Sequence, residues 1–315
     1  SLTNFFRGCL ADKHGTIRLS GIALILTGLV ISGFTFAAGI GAVLAVRFMQ
    51  GFTSGTVRAV YSSVTVSLVL RDSFGKTLGV TGLAAIVGMM AAAPLAVAYT
   101  ANYGYRMLFL LLCLCYLFAG TGVSVIRVKI YKPATSLKHV FERAIWAPAL
   151  LKFTGALSYS AFLSYGIVYA KEVLPYNSGY VLTIYALANV IARPLAGVIA
   201  DRAGDRLYLI IITGGLTSAV GYYLFSSASV LAGAFLIGLG VGIDYSSINL
   251  AAFRKSKPEI FNRISATLEF SFSIGLMLGA FGAVYIAQEL SFVFALAAGF
   301  SLLTAAAALR LRARL

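Results

Sequence analysis

The chain has 315 residues, of which 60% are hydrophobic and only 11% are charged, and its formal net charge is +15. A soluble globular domain carries about 25% charged residues, so this composition excludes a soluble protein and indicates a polytopic membrane protein. The positive charge does not indicate nucleic-acid binding, because it is spread over alternate loops instead of one soluble basic face. The three cysteines and two histidines show no metal-ligand spacing, so we expect no metal and no cofactor.

Ten long apolar segments follow one another along the chain. Each is long enough for a helix to cross a hydrocarbon core about 30 Å thick. A helix satisfies its own backbone hydrogen bonds in lipid, whereas an open sheet edge does not. The sequence therefore predicts an all-α polytopic membrane protein. The predicted segments span residues 17–37, 39–62, 76–99, 105–126, 148–170, 177–200, 206–226, 229–251, 263–286 and 290–310.

Lysines and arginines are concentrated in alternate loops, which places most of them on one side of the membrane. The opposite side has only Arg106 and Lys171, so the positive-inside rule makes the crowded side cytoplasmic. We expect an integral protein of a prokaryotic plasma membrane, in contact with anionic lipid headgroups. The loops predicted to be cytoplasmic are residues 8–18, 71–76, 127–147, 201–206 and 254–263.

A short polar sequence occurs twice, 189 positions apart. Both copies have a glycine, an Ala-Asp pair, a cation and a second glycine at the same offsets. This repeat predicts two related halves with the same orientation in the membrane. The predicted division is an N-terminal bundle at 1–126, a cytoplasmic linker at 127–147 and a C-terminal bundle at 148–315. The corresponding residues are Gly8, Asp12, Lys13 and Gly15 in the first copy and Gly197, Asp201, Arg202 and Gly204 in the second.

These residues resemble the major facilitator superfamily, whose signature loop has the pattern G-x-L-A-D-R/K-x-G-R-R/K. The first copy matches this pattern from Gly8 to Gly15, whereas Thr16 and Ile17 depart from it. A second family motif, R-x-x-Q-G, is similar to Arg47, Gln50 and Gly51. A third, the G-W-R that opens the family's sixth helix, is similar to Gly104, Tyr105 and Arg106. The resemblance covers essentially the whole chain.

The resemblance implies twelve helices in two bundles around a central cavity, and this chain would hold the third to the twelfth. We therefore expect a fragment that lacks helix 1 and most of helix 2. In the family, the aspartate of the signature loop braces one half against the other in the outward-facing state. The alternative is that both loops are only tight turns with solvated charges. The expected neighbours are Asn262 and Arg263 for Asp12, and Gly75 and Lys76 for Asp201.

The second apolar segment carries a polar stripe. Arg47, Gly51, Ser54 and Arg58 fall on one helical face, since each residue turns the helix by about 100°. A buried arginine in a bilayer costs several kcal/mol unless it faces a cavity or a partner. The stripe is therefore predicted to face the central cavity. For Arg58 the alternative is that its side chain reaches back to the cytoplasmic surface.

Asp244 and Glu269 are the two acidic residues predicted to lie inside apolar segments. Desolvation favours the neutral form of a carboxyl group and a nearby cation favours the charged form, so such a group is able to bind a proton in one state and release it in another. Our hypothesis is that one of them is a proton or substrate-cation site, with Arg58 and Arg193 as partners. The alternative is a static ion pair that joins two helices.

The sequence has no G-x-x-x-x-G-K-S/T loop, so a gradient is the expected source of energy. The resemblance implies a secondary active transporter and not an enzyme. Proton-coupled efflux of a small solute is the first expectation, although Pro94 falls one residue late for the family's antiporter motif. The alternative is uptake of a sugar, organic anion or other metabolite; a non-transporting scaffold is a third. The expected partners are a small-molecule substrate, protons and membrane lipid, without nucleic acid, and we expect a monomer.

Overall fold

The computed structural model describes residues 16–67, 69, 73–125, 142–174, 180–227, 229–254, 256–286 and 289–315. All ten predicted apolar segments are helical in these ranges, which confirms the all-α prediction. The α-helices are α1 (Thr16–Ser32), α2 (Ile40–Ser67), α3 (Phe74–Val125), α4 (Trp146–Val173), α5 (Tyr180–Arg202), α6 (Leu207–Ser226), α7 (Val230–Arg254), α8 (Phe261–Ile286) and α9 (Leu290–Arg310). Short 3-10 turns cover Gly33–Thr35, Arg143–Ile145, Gly204–Arg206, Pro258–Ile260 and Arg312–Arg314.

Two of the predicted segments are joined in α3. The predicted loop between residues 99 and 105 shrinks to one non-helical residue, Gly104, with φ 76° and ψ 168°. Only glycine adopts this region of backbone space without a large steric cost. Gly104 therefore divides α3 into two helical segments, residues 74–103 and 105–125, without a polar loop between them.

Eight of the helices in the described ranges are long and apolar enough to cross a membrane. They are α1 with its following turn, the two segments of α3, and α5 to α9. The other two helices, α2 and α4, carry cations inside their apolar sequence, Arg47 and Arg58 in α2 and Lys152 in α4. The protein is therefore an integral membrane protein.

The chain forms two compact units. The first comprises Ser1–Leu68, Ala91–Glu142 and Ser256–Phe270, and the second comprises Val69–Met90, Arg143–Lys255 and Ser271–Leu315. These units are built from alternating stretches of the chain. The predicted division into residues 1–126, 127–147 and 148–315 stays a prediction, and residues 127–141 of the predicted linker lie outside the described ranges.

Small residues allow close helix packing in the first unit. In α1, a Cβ atom on Gly21 would come within 2.9 Å of the Gly120 carbonyl oxygen, and one on Gly28 would come within 2.8 Å of the Tyr116 Cβ. Van der Waals contact between closely spaced backbones is a main source of helix association in lipid. Glycine in α1 therefore lets α1 pack directly on residues 105–125.

The second unit has an aromatic core. Its main helix contacts are α7 with α5 and α6, and α9 with α6 and α4. Rings from four helices meet in this core, and the Phe225 and Phe294 ring centroids are 4.7 Å apart in an edge-to-face arrangement. Edge-to-face pairs add stabilisation beyond the burial of their surface. The fully buried aromatic side chains of this unit are Phe74, Phe162, Tyr185, Tyr222, Phe225, Phe253 and Phe294.

Candidate functional site

Asp201, at the end of α5, caps the start of α3. Its Oδ1 accepts a hydrogen bond from the Gly75 backbone N–H at 2.7 Å, and its Oδ2 accepts one from Lys76 N–H at 2.8 Å. The first N–H groups of a helix have no partner inside the helix, and the helix dipole adds about half a positive charge there. The carboxylate of Asp201 therefore satisfies two free donors and the dipole together.

Glycine permits the close approach that this contact needs. A Cβ atom on Gly197 of α5 would overlap the Gly75 carbonyl oxygen and would lie 3.1 Å from Lys76 N. One turn further into each helix, a Cβ on Gly79 would come within 2.5 Å of the Arg193 carbonyl oxygen. The α3 and α5 backbones therefore touch along the crossing that Asp201 closes.

The turn after Asp201 is also held. Gly204 has φ +55°, a left-handed backbone conformation that residues other than glycine rarely adopt. Its carbonyl oxygen accepts a hydrogen bond from Arg254 Nη1 at 3.0 Å, which ties the turn to the end of α7. Arg202, the cation of the motif, is exposed.

The predicted neighbours of Asp201 are confirmed, since Gly75 and Lys76 are its hydrogen-bond donors. Its gating role stays a prediction. Gly8, Asp12, Lys13 and Gly15 lie outside the described residues, as does any contact of Asp12 with Asn262 and Arg263.

Asp244 lies on α7 where that helix crosses α6. A Cβ atom on Gly214 of α6 would overlap Asp244 Oδ1 and would come within 2.8 Å of its Cγ. The missing side chain at position 214 therefore makes room for the carboxyl group. Asp244 Oδ1 is buried and has no hydrogen-bond partner among the described residues. A buried polar atom without a partner is rare in native proteins, and a functional role is one physical explanation for it.

Lys152 on α4 is the cation that lies beside Tyr245, the residue that follows Asp244. It is only 5% exposed, and its Nζ donates to Asn249 Oδ1 at 3.2 Å. The same Nζ lies 4.4 Å from the centroid of the Tyr245 ring and 5.5 Å from that of Phe272. A buried lysine is expensive in lipid unless polar partners surround it, and here neighbouring helices supply polar and aromatic ones.

Arg193 on α5 lies against Tyr245, the residue that follows Asp244. Its Cζ is 3.8 Å from the Tyr245 ring centroid, and its Nη1 donates to the Gly82 carbonyl oxygen at 3.4 Å. Its Nε is buried, without a hydrogen-bond partner in the part of the chain that the structure describes. The predicted pairing of Arg193 with an intramembrane acid stays a prediction. We call Lys152, Arg193, Asp244 and Tyr245 the charged cluster.

The polar face of α5 continues beyond Arg193. Asn189, one turn away, is fully buried, and its Nδ2 donates to Tyr185 Oη at 3.2 Å. Its Oδ1 accepts no hydrogen bond from any residue in the described ranges. Residues 185, 189 and 193 share one helical face, so a line of polar groups extends from the charged cluster into the aromatic core.

The predicted stripe of the first unit is present on α2. Arg47 Nη1 donates to Gln50 Oε1 at 2.8 Å, which brings two residues of the R-x-x-Q-G motif together, and Arg47 Cζ lies 5.0 Å from the Phe34 ring centroid. Gly51 is exposed, and a Cβ atom added there would have no described heavy atom within 4 Å. Arg58 is helical, but its side chain is not among those described. The predicted cavity-facing role of this stripe stays a prediction.

Glu269 lies in α8, in the part that belongs to the first unit, whereas Asp244 belongs to the second. Its predicted role as a proton or substrate-cation site stays a prediction. The sequence analysis did not name Lys152 of the charged cluster, or its hydrogen-bond partner Asn249, as candidate site residues. A lysine inside an apolar segment was the available signal for Lys152, because intramembrane ionisable residues are functional by default.

The described helices and their buried polar groups are those of a polytopic helical membrane protein. Residues 1–180 and 175–314 match the sequence profile of the Major Facilitator Superfamily. The chain therefore belongs to the major facilitator superfamily, and its fold and family are those of transporters.

A relative and two solved structures agree with this family. The chain is 22% identical over 307 residues to the "Multi-drug resistance efflux pump PmrA homolog" of Lactococcus lactis subsp. lactis (strain IL1403), covering 90% of this chain and 75% of the relative. The fold is similar to that of the human organic anion transporter MFSD10 (TETRAN), with a TM-score of 0.81 and 13% identity over 98% of this chain and 80% of that one. It is also similar to the E. coli fucose:proton symporter FucP, with a TM-score of 0.76 and 14% identity over 98% of this chain and 87% of that one.

Proposed function

We propose that this protein moves a small organic solute across the membrane by alternating access, driven by a proton gradient, with Asp244 as a proton-binding group. The observation that carries the proposal is the buried Oδ1 of Asp244 at the α6–α7 crossing, which accepts no hydrogen bond within the described ranges. Lys152 lies 4.4 Å from the ring of the adjacent Tyr245 and so places a cation in the same cluster as this carboxyl group. A carboxyl group that has one oxygen without a hydrogen bond and a cation nearby is able to bind a proton in one conformation and release it in another. Proton-coupled transport requires such a group.

The gating element in this proposal is the Asp201 cap on α3. Two charge-assisted hydrogen bonds stabilise the state in which α3 and α5 touch, and they are lost when the helices separate. A transporter of this kind needs states that differ by a few kcal/mol, so that solute and protons can shift their populations. The cap lies at the loop of residues 201–206, which the distribution of basic residues predicts to be cytoplasmic.

Export is the direction that we propose first, in a prokaryotic plasma membrane. The name of the Lactococcus relative, an efflux pump, supports export. The departure of Pro94 from the antiporter motif is the observation against it.

Uptake of an organic anion, a sugar or another metabolite is the second candidate. The observation that favours it is the pair of cations in the charged cluster, Lys152 and Arg193, which suits a solute with a negative charge. The names of the structural neighbours, an organic anion transporter and a fucose:proton symporter, are compatible with this candidate.

The experiment is a flux measurement on the full chain reconstituted in liposomes. Labelled anionic, neutral and cationic organic compounds are followed while a pH gradient is imposed in either direction. Net movement against the proton flow supports export, and net movement with it supports uptake. Movement of no compound in either direction would favour the non-transporting scaffold and would overturn the proposal.

Two matched pairs of variants locate the proton site. Asp244→Asn is compared with Asp205→Asn, the same change at an exposed residue of the 3-10 turn. Glu269→Gln is compared with Glu289→Gln, whose side chain is exposed at the start of α9. We expect Asp244→Asn to remove the pH dependence of flux and Asp205→Asn to keep it. If both Asp244→Asn and Glu269→Gln kept normal pH-dependent flux, proton coupling through these residues would be excluded.

A further inference from the structure

Two cations from different helices converge on one aromatic ring. Lys152 Nζ on α4 lies 4.4 Å from the Tyr245 ring centroid, and Arg193 Cζ on α5 lies 3.8 Å from it. Like charges this close repel each other, and the repulsion grows where water is scarce. The Tyr245 ring offsets part of this cost, because a cation is attracted to the face of an aromatic ring.

The contacts of the two cations differ. Lys152 has a hydrogen bond to Asn249 and also contacts the Phe272 ring. Arg193 contacts the Gly82 carbonyl oxygen and the Tyr245 ring, and its Nε has no hydrogen-bond partner within the described part of the chain. A carbonyl and a ring do not cancel a full charge. Within the described residues, Arg193 therefore keeps a positive charge that no acid offsets and one open N–H donor.

Apolar and aromatic surface adjoins these charges. Phe272 on α8 lies 5.5 Å from Lys152 Nζ, measured to the ring centroid, and Tyr159 on α4 lies 6.3 Å from Phe272 between centroids. Small-molecule sites commonly join a few converging polar groups to aromatic walls. The arrangement here suits a solute with one anionic group and an apolar body.

We propose that Lys152, Arg193 and Tyr245 bind the anionic group of the transported solute, so that the solute is an organic anion with an aromatic or apolar body. This inference rests on the proposed transport function and names the solute class of the same site. Arg193 offers its open Nε–H as a hydrogen-bond donor to the anion, and Lys152 contributes its charge. An arginine is well suited to this task because its planar fork matches carboxylate and similar groups.

Asp244 links this binding to protons. Lys152 from α4 and Arg193 from α5 both contact the ring of Tyr245, the residue next to Asp244, and the fully buried Tyr222 lies on α6, the helix that Asp244 faces. Asp244 is adjacent to the Tyr245 ring that both cations contact, so its charge acts on the same cluster. When Asp244 accepts a proton, the cluster loses a negative charge and the anion is bound more tightly. Linkage is reciprocal, so the bound anion also favours the protonated carboxyl group. An anion and a proton that bind together fit uptake, the second candidate, better than exchange.

The test uses three probes with a common phenyl ring: benzenesulfonate, benzenesulfonamide and phenyltrimethylammonium. Their binding to the purified full chain is measured by calorimetry at several pH values. We expect benzenesulfonate to bind most tightly and more tightly as the pH falls. Arg193→Gln should weaken its binding about tenfold to a hundredfold, the usual effect of losing a hydrogen bond to a charged group. Arg193→Lys should recover part of the loss.

Arg206→Gln serves as the control, because it makes the same change at an exposed arginine and should leave binding unchanged. Asp244→Asn changes the proposed proton-binding group and should remove the pH dependence of benzenesulfonate binding. The inference is overturned if the neutral or cationic probe binds as well as the sulfonate, or if none of the three binds. It is also overturned if Arg193→Gln has no effect on sulfonate binding.

The failure of this inference and the failure of the transport proposal give different results. Proton-dependent flux that requires Asp244 but shows no preference for anions would overturn the anion site and leave the transport proposal standing. A clear preference for benzenesulfonate in binding, without flux of any solute, would overturn the transport proposal and leave the anion site standing.

Discussion

The close crossing of α3 and α5 predicts that a larger residue at Gly197 destabilises the protein. In Gly197→Ala the new Cβ would overlap the Gly75 carbonyl oxygen, and it would lie 2.7 Å from the Gly75 carbonyl carbon and 3.1 Å from Lys76 N. These are backbone atoms at the start of a helix, so no flexible side chain is available to move away. Overpacking of this kind costs about 1–3 kcal/mol, and it also separates Asp201 from its two donors.

Gly155→Ala is the matched control for this prediction. Gly155 lies inside α4, and an added Cβ would have no described heavy atom within 4 Å, so the same substitution should stabilise its helix by up to about 1 kcal/mol. Thermal unfolding of the purified variants is the assay, and for a chain of this size each kcal/mol shifts the midpoint by about 2 °C. We expect Gly197→Ala to unfold several degrees below the parent protein and Gly155→Ala at or above it. Equal midpoints for the two variants would refute the close approach at Gly197.

Three other changes follow from the described contacts. Asp201→Ala removes two charge-assisted hydrogen bonds and should destabilise the state in which Asp201 caps α3 by about 3 kcal/mol. The labelling rate of a cysteine introduced near Lys76 should therefore rise, whereas Asp205→Ala should leave this rate unchanged. Gly214→Ala should displace the Asp244 carboxyl group and reduce proton-coupled flux at least tenfold, and normal flux would show that this position is not needed. Gly204→Ala should lower the unfolding free energy by about 1 kcal/mol, because φ +55° strains a side chain; an unchanged unfolding midpoint would count against that strain.

The length and hydrophobicity of the apolar segments were sufficient to predict the helical architecture. Apolar runs predicted every helix in the described ranges, because lipid leaves the backbone no alternative that satisfies its hydrogen bonds. The exception was the connection before residue 105, where we expected a loop and the structure has a single non-helical residue, Gly104. A change of direction through one left-handed residue leaves no polar signal in the sequence, so composition alone could not predict it.

The Asp201 contact was predictable because its motif specifies both partners. The neighbours of Asp244 were not, because they depend on how α7 is rotated. Successive residues on a helix point about 100° apart, so Asp244 turns towards Gly214 of α6 while Tyr245 meets Lys152 and Arg193. Sequence identified the charges inside the apolar segments, but only tertiary packing decided that a lysine and an arginine would meet the same ring.

Proton movement driven by the solute is the most direct test of the central claim. Liposomes that contain the full chain and an internal pH indicator receive a transported solute without an imposed pH gradient. The parent protein and Asp205→Asn should produce a pH change inside the liposomes that follows solute movement. Asp244→Asn should carry solute, if at all, without that pH change. A normal solute-driven pH change in Asp244→Asn would contradict the assignment of Asp244 as the proton-binding group.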